Sequence, residues 1–262
     1  MCDKTKERSN KNKMDELRKS LCNELRNLRA WLEVLQYTRI DFLPLSSQSS
    51  NTANTAFKKQ HMTKSEKLKL LYEKYKDCRA CRLGHSRLNF VFGAGSPNTK
   101  LMFIGEAPGY EEDHQGVPFV GRAGKLLTEV LSEVKIPREK VYITNVVKCH
   151  PMIDPGNPEK TGNDRQPTAE EINKCLPILV EQIKIIRPVV VCTLGTVATY
   201  TLLKNMQYSL SLAELRGKKY VVEIGDEKFQ VVPTYHPAAV LRNMSLKTYM
   251  FRDLKFILTL LK

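Results

Sequence analysis

Two sets of residues in this 262-residue chain have the types and spacing for chemistry. The first is sulfur. Cys78 and Cys81 stand in C-x2-C spacing, with Cys149 and Cys175 downstream. Two thiolates at that spacing suit one metal or cluster, and two more complete a four-sulfur set. Spacing leaves structural zinc and an iron–sulfur cluster both open, with incidental buried thiols as the competing reading. A thioredoxin-like redox role fits poorly, because this C-x2-C does not lead from a strand into a helix. Cys192 lies within Val-Val-Val-Cys-Thr-Leu and reads as core, while Cys2 and Cys22 have no assignable role.

The second set is the stretch GEAPGYEEDHQGVPFVGRAGKLL, residues 105–127, which gathers Glu106, Glu111, Glu112 and Asp113 in one Gly-rich loop. Gly121-Arg-Ala-Gly124-Lys125 lacks the G-x4-G-K-[ST] pattern of a phosphate loop, and Gly105 and Gly109 lack dinucleotide spacing. The carboxylates suit either magnesium or a solvated acidic turn. A lone histidine, His236, precedes Pro237 at the end of an apolar run.

These residues need elements to position them. Val-, Ile- and Phe-rich runs predict strands at 101–105, 141–147, 189–194 and 229–233, with an added strand at 219–224. Helices are expected at 63–77 (capped by Thr63), 123–134, 169–187, 196–203 and 246–261. Strands alternating with helices imply a mainly parallel four-stranded sheet covered on both faces, a three-layer α/β/α sandwich. Ligands in such folds sit beyond the C-terminal strand ends. That edge carries Glu106-Ala-Pro-Gly109, Asn145 to Cys149, and Tyr235-His236-Pro237. Upstream, Met14, Leu17, Leu21, Leu25, Leu28, Leu32 and Leu35 form one apolar stripe, predicting a helix at 14–36. Residues 46–60 are Ser/Thr/Asn-rich and read as a linker. The expected organisation is an N-terminal helical extension at 1–45, a linker at 46–62 and a catalytic domain at 63–262.

Charge narrows the partner. The chain carries 42 Lys and Arg against 28 Asp and Glu, a net charge of +14. Such a surface favours a polyanion, nucleic acid before membrane, because cationic side chains replace phosphate counterions. The sequence has neither a membrane-length apolar run nor a signal-like N-terminus, so the expected compartment is cytoplasmic, where disulfides are rare.

Four motifs in order carry a resemblance. Gly105-Glu-Ala-Pro-Gly109, Gly116-Val-Pro-Phe-Val-Gly-Arg-Ala-Gly124, Tyr142-Ile-Thr-Asn145 and His236-Pro-Ala-Ala-Val-Leu-Arg242 resemble the family 4, iron–sulfur uracil-DNA glycosylases. The likeness runs from about Lys74 to the C-terminus. It implies a [4Fe-4S] cluster on Cys78, Cys81, Cys149 and Cys175, and uracil-containing DNA as substrate. The implied activity is monofunctional glycosylase chemistry that leaves an abasic site. A uracil-binding or crosslinking protein without turnover and a zinc-bearing nucleic-acid scaffold are the alternatives.

The resemblance also implies roles. A flipped uracil needs a pocket, in which Phe119 stacks on the ring and the Asn145 amide reads the Watson–Crick edge. His236 donates to the uracil O2 as charge develops there. Glu112 is a candidate wall against the thymine methyl, and Leu241 and Arg242 are candidates for wedge and phosphate contact. Ala107 occupies the position where some uracil glycosylases carry a water-orienting Asp or Asn, so Glu106 ranks first for water activation. The segment between Cys149 and Cys175 is longer than the family pattern. A related group with an insertion here traps its product through a histidine, but this insertion has none, and only His150 lies at its start. Turnover is therefore expected, by a monomer, with the N-terminal helix open to a replication or repair partner.

Overall fold

The computed structural model describes residues 62–203, 210–225 and 227–262. The predicted helix at 14–36 and the linker at 46–60 lie outside the described residues. The first described helix, α1 (Lys64–Tyr75), begins where its cap predicts. Thr63 Oγ1 accepts the Glu66 amide at 3.2 Å, while the Glu66 carboxylate accepts the Thr63 amide at 2.7 Å. That reciprocal pair satisfies two donors the first turn cannot use.

Six strands form one sheet: β1 (Ala94–Gly95), β2 (Leu101–Gly105), β3 (Tyr142–Asn145), β4 (Val190–Leu194), β5 (Tyr220–Ile224) and β6 (Glu227–Thr234), in the order β1-β3-β2-β4-β6-β5. The central four are parallel, as expected, and the edges β1 and β5 are antiparallel. The expected four-stranded sheet with one added strand is thus corrected to six. Two-residue β1 is too short to leave a hydrophobic pattern in the sequence.

Every residue of β2, β3 and β4 is buried, which explains their unbroken apolar runs. Successive side chains point to opposite faces and feed two cores. Met102, Ile104, Tyr142 and Val191 meet Leu68 and Leu71 of α1 and Ile172, Leu179, Ile183 and Ile186 of α5 (Ala169–Ile186). Leu101, Phe103, Ile143 and Val232 meet Leu127, Val130 and Leu131 of α4 (Arg122–Glu133) and Met250, Leu254 and Ile257 of α9 (Lys247–Leu260). Each such side chain stabilises the fold by about 1.5–3 kcal/mol on full burial. Shorter helices complete the described chain: α2 (Leu83–Ser86), α3 (Tyr110–Gln115), α6 (Thr196–Leu202), α7 (Leu212–Leu215) and α8 (Pro237–Arg242).

Register places the chemistry. Gly105 pairs with Asn145, and Leu194 with Thr234, so the four parallel strands finish along one edge. The end of β6 is pinned by α9. Thr234 Oγ1 donates to Asp253 of that helix at 2.6 Å, and Asp253 also pairs with Arg216. Removing Arg216 would leave the Asp253 carboxylate buried without its cation.

Candidate active site

The site grows from Gly105, the last residue of β2. A Cβ there would lie 2.4 Å from Asn145 Oδ1 and 2.5 Å from Phe119 Cζ. The missing side chain lets the β3 amide and the aromatic ring converge on one point. Asn145 is 1% exposed, and its Oδ1 is buried with no hydrogen-bond partner. A buried carbonyl without a donor costs about 1–3 kcal/mol, so this is a group kept available rather than a structural tie. Its backbone, by contrast, is firmly held. The fully buried Lys148 ammonium donates to Asn145 O at 2.7 Å, Thr144 Oγ1 at 2.6 Å and Gln182 Oε1 at 2.7 Å.

Phe119 has φ 55°, left-handed backbone for a bulky residue. Such a conformation costs about 1–3 kcal/mol and persists only where its surroundings enforce it. Its ring centroid lies 5.6 Å from that of His236. Glu112 holds the chain that follows. Its Oε1 accepts the amides of Val120 at 3.0 Å and Gly121 at 2.9 Å, and its Oε2 accepts that of Gly109 at 3.1 Å. Glu112, the candidate wall against a thymine methyl, thus braces the loop in this geometry.

His236 caps α8, whose first amides would otherwise be orphaned. Its Nδ1 accepts the Ala238 amide at 3.1 Å, so the neutral ring carries its proton on Nε2. Burial, aided by Arg242, lowers its pKa to about 4. The ring is therefore neutral near pH 7 and presents one N–H donor. Gly195 has φ +88°, and a Cβ there would lie 2.9 Å from His236 Cβ, so the end of β4 approaches the ring by omitting a side chain. The residues after His236, to Arg242, form helix α8, for which the imidazole supplies a cap the sequence does not advertise.

Glu106 is half-buried, and burial raises its carboxyl pKa. Ala107 packs against the core on the α1 and α5 side of the sheet. Leu241 packs on the opposite core, while Met244 nearby is 54% exposed. Arg242 is exposed. A cavity of about 600 Å³ lies apart from these groups, lined by Tyr72, Phe90, Phe92 and Tyr142 among others.

The four cysteines are drawn to one region. Cys149 lies beyond the end of β3 rather than within it, and Cys175 is in α5. Burial pushes the Cys149 and Cys175 thiols up to about 12 and about 11; Cys149 feels the charges of Cys175 and Cys81, and Cys175 those of Cys81 and Cys78. Arg87 Nη1 donates to Cys149 Sγ at 3.1 Å. Among the described residues, no three His, Cys, Asp or Glu side chains close around a point the size of one metal ion.

Comparison with known proteins bears on this edge. Residues 92–255 match the family model "Uracil DNA glycosylase superfamily", more than half of the chain and the whole span from β2 to α8. The chain belongs to the uracil-DNA glycosylase superfamily. It is 42% identical over 194 residues to a type-4 uracil-DNA glycosylase of Sulfurisphaera tokodaii, covering 73% of this chain and 84% of that protein. A type-4 uracil-DNA glycosylase of Thermotoga maritima is 43% identical over 183 residues, 70% of this chain and 88% of that protein. One from Archaeoglobus fulgidus is 42% identical over 182 residues, 69% and 86% of the two chains.

Within this superfamily domain, three of the residues singled out by sequence, Asn145, Phe119 and His236, meet at the C-terminal sheet edge. Leu241 is partly buried, with part of its apolar surface packed against the core. Lys148 went unnoticed in the sequence, where it reads as one more cation. A lysine inside Val-Val-Lys-Cys directly after a buried strand was the available signal.

Proposed function

We propose that this chain excises uracil from DNA, hydrolysing the N-glycosidic bond and leaving an abasic site. The observation that carries the proposal is the orphaned Asn145 Oδ1, sealed from water beside the Phe119 ring, which in turn faces His236. Uracil offers N3–H to that oxygen and O4 to the amide nitrogen. Cytosine reverses both partners and would leave two buried groups facing like groups. Phe119 stacks on the flipped base.

As the bond breaks, electron density collects on the uracil and positive charge on the sugar. The Nε2–H of neutral His236 donates to O2, where the anion develops, at no cost of reorganisation. Half-buried Glu106 is assigned to the transient cation and the incoming water, a duty the Ala107 methyl cannot perform. Arg242 is assigned to phosphate. The wedge role moves from Leu241 to Met244, whose side chain is the more exposed. Hydrolysis rather than trapping agrees with His150. That ring is fully buried, with Nε2 at 2.6 Å from Asp164 and Nδ1 at 3.8 Å from Asp113, so both nitrogens face carboxylates of the chain itself.

The same reading places a [4Fe-4S] cluster on Cys78, Cys81, Cys149 and Cys175. A cube-shaped cluster binds one thiolate per iron and so tolerates wider spacing than a single ion. It would crosslink the Cys78–Cys81 segment to α5 and to the chain leaving β3. Arg87 stands ready to stabilise a Cys149 thiolate. Cys149→Ala is expected to lower the yield of soluble protein and remove most of its iron and brown colour. Full iron content in that variant refutes the ligand assignment, and zinc in the wild type refutes the cluster.

The deciding assay is a uracil-containing oligonucleotide followed by alkali. Strand cleavage at the uracil position supports the enzyme. Binding without cleavage, or a retained protein–DNA adduct, overturns it.

A further inference from the structure

The strained backbone at Phe119 needs something to enforce it, and the residue that does so lies outside every motif. Arg138 sits in the 3-10 turn Arg138–Lys140 after α4. One guanidinium nitrogen, Nη2, donates to both Pro118 O at 2.9 Å and Phe119 O at 2.8 Å. The other, Nη1, donates to Thr128 Oγ1 at 3.0 Å, which in turn donates to Gly124 O at 3.0 Å. The Phe119 carbonyl is also pressed against α4, since a Cβ at Gly124 would lie 1.9 Å from it. Further along the same short segment, Glu112 takes the amides of Val120 and Gly121. A cation therefore holds the carbonyls at the bend and an anion holds the amides after it. Between them the chain has little choice but φ 55° at Phe119.

We infer that Arg138 is a positioning residue for uracil excision: its guanidinium locks Phe119 in the left-handed conformation that lays the ring beside Asn145 and His236. The inference rests on the stacking role proposed for Phe119. Arg138 itself touches neither Asn145 nor His236 by hydrogen bond, so its influence must pass through the Phe119 backbone. The planar fork matters, because a lysine ammonium on a flexible stem keeps the charge but not the two-sided geometry.

A double-mutant cycle tests this. Single-turnover kcat/KM on uracil-containing DNA is measured for Phe119→Ala, Arg138→Met, Arg138→Lys and the combination Phe119→Ala/Arg138→Met, each with its thermal midpoint. Arg138→Met is expected to lose roughly tenfold to a hundredfold, and Arg138→Lys less. The combination should be no slower than Phe119→Ala alone, even where its midpoint is lower, because interacting residues are not additive. A merely structural role would move the midpoint without this coupling. Arg138→Met within twofold of wild type beside an impaired Phe119→Ala overturns the positioning role alone, as does full additivity. An unimpaired Phe119→Ala overturns the stacking role and the inference with it. If Arg138→Met does not fold, the cycle run with Arg138→Lys decides between the same outcomes.

Discussion

Asn145→Ala is expected to lower kcat/KM for uracil in DNA by roughly 10²- to 10⁴-fold while leaving the protein as stable as before or more so. The rate loss follows from two uracil groups, N3–H and O4, entering a dry site without partners, at about 1–3 kcal/mol each. The stability result is the more diagnostic half. Asn145 Oδ1 has no partner in the folded protein, so removing it also removes an unsatisfied buried acceptor. The backbone would stay in place, since Lys148 holds the Asn145 carbonyl and the residue keeps its register opposite Gly105. A thermal melt and a glycosylase time course on the same preparation read both effects. A marked fall in melting temperature would mean that the amide is structural, and an unchanged rate would mean that it does not read the base.

His236→Ala is expected to cost roughly 10²- to 10³-fold in kcat, the usual effect of deleting one donor to a developing anion. Part of any stability loss would come from the lost cap on α8, worth about 1 kcal/mol. Asn at position 236 separates the two duties. Its short side chain can cap the helix but lacks the reach of the imidazole Nε2–H, so His236→Asn should recover stability without recovering rate. The pH dependence has a definite sign. With a folded pKa of about 4, the ring is neutral from pH 8 down to near pH 5, and the rate should show no inflection at the ordinary histidine value of about 6.5. Over the interval between those pKa values the unfolded chain binds the proton more readily than the folded one. The stability that comes from burying a neutral ring is therefore complete above about pH 6.5 and is lost as pH falls toward 4. A wild-type rate inflection near 6.5 that vanishes in His236→Asn would show that the working form is the imidazolium.

The insertion between Cys149 and Cys175 is joined to the catalytic loop by side chains no motif contains. Glu159 meets His114 of α3 at 3.0 Å, and His150, held by Asp164 within the insertion at 2.6 Å, lies 3.8 Å from Asp113 of the same helix. In the sequence these are scattered charges in a polar stretch. The short bridge between Met152 and Asp164 folds the insertion back and makes them partners.

The buried strands, the long amphipathic helices and the capping box at Thr63 were all legible, because burial on both faces or along one stripe leaves a periodic trace. The fold class followed from the alternation of strands and helices, and the candidates Asn145, Phe119 and His236 from the resemblance that the motif order carries. Short elements left no such trace. β1 is two residues long, α3 is almost wholly polar, and α8 depends on a cap made by an imidazole nitrogen. The surroundings of Leu241, partly buried against the core, were illegible for a related reason: hydrophobicity is local, but the face to which a side chain turns depends on neighbours brought from elsewhere in the chain.

Local pattern thus determined which residues are available for chemistry and roughly where the sheet would end. Only the tertiary structure decided how they are held. The Gly105 register that lets an amide and a ring meet, the backbone amide that sets the His236 tautomer, the three amides gathered by Glu112 and the guanidinium behind Phe119 are all products of contact. Apart from the His236 cap and the Glu112 bond to Gly109, these contacts join residues separated along the chain, and no periodicity records which distant groups will face each other once the strands have paired.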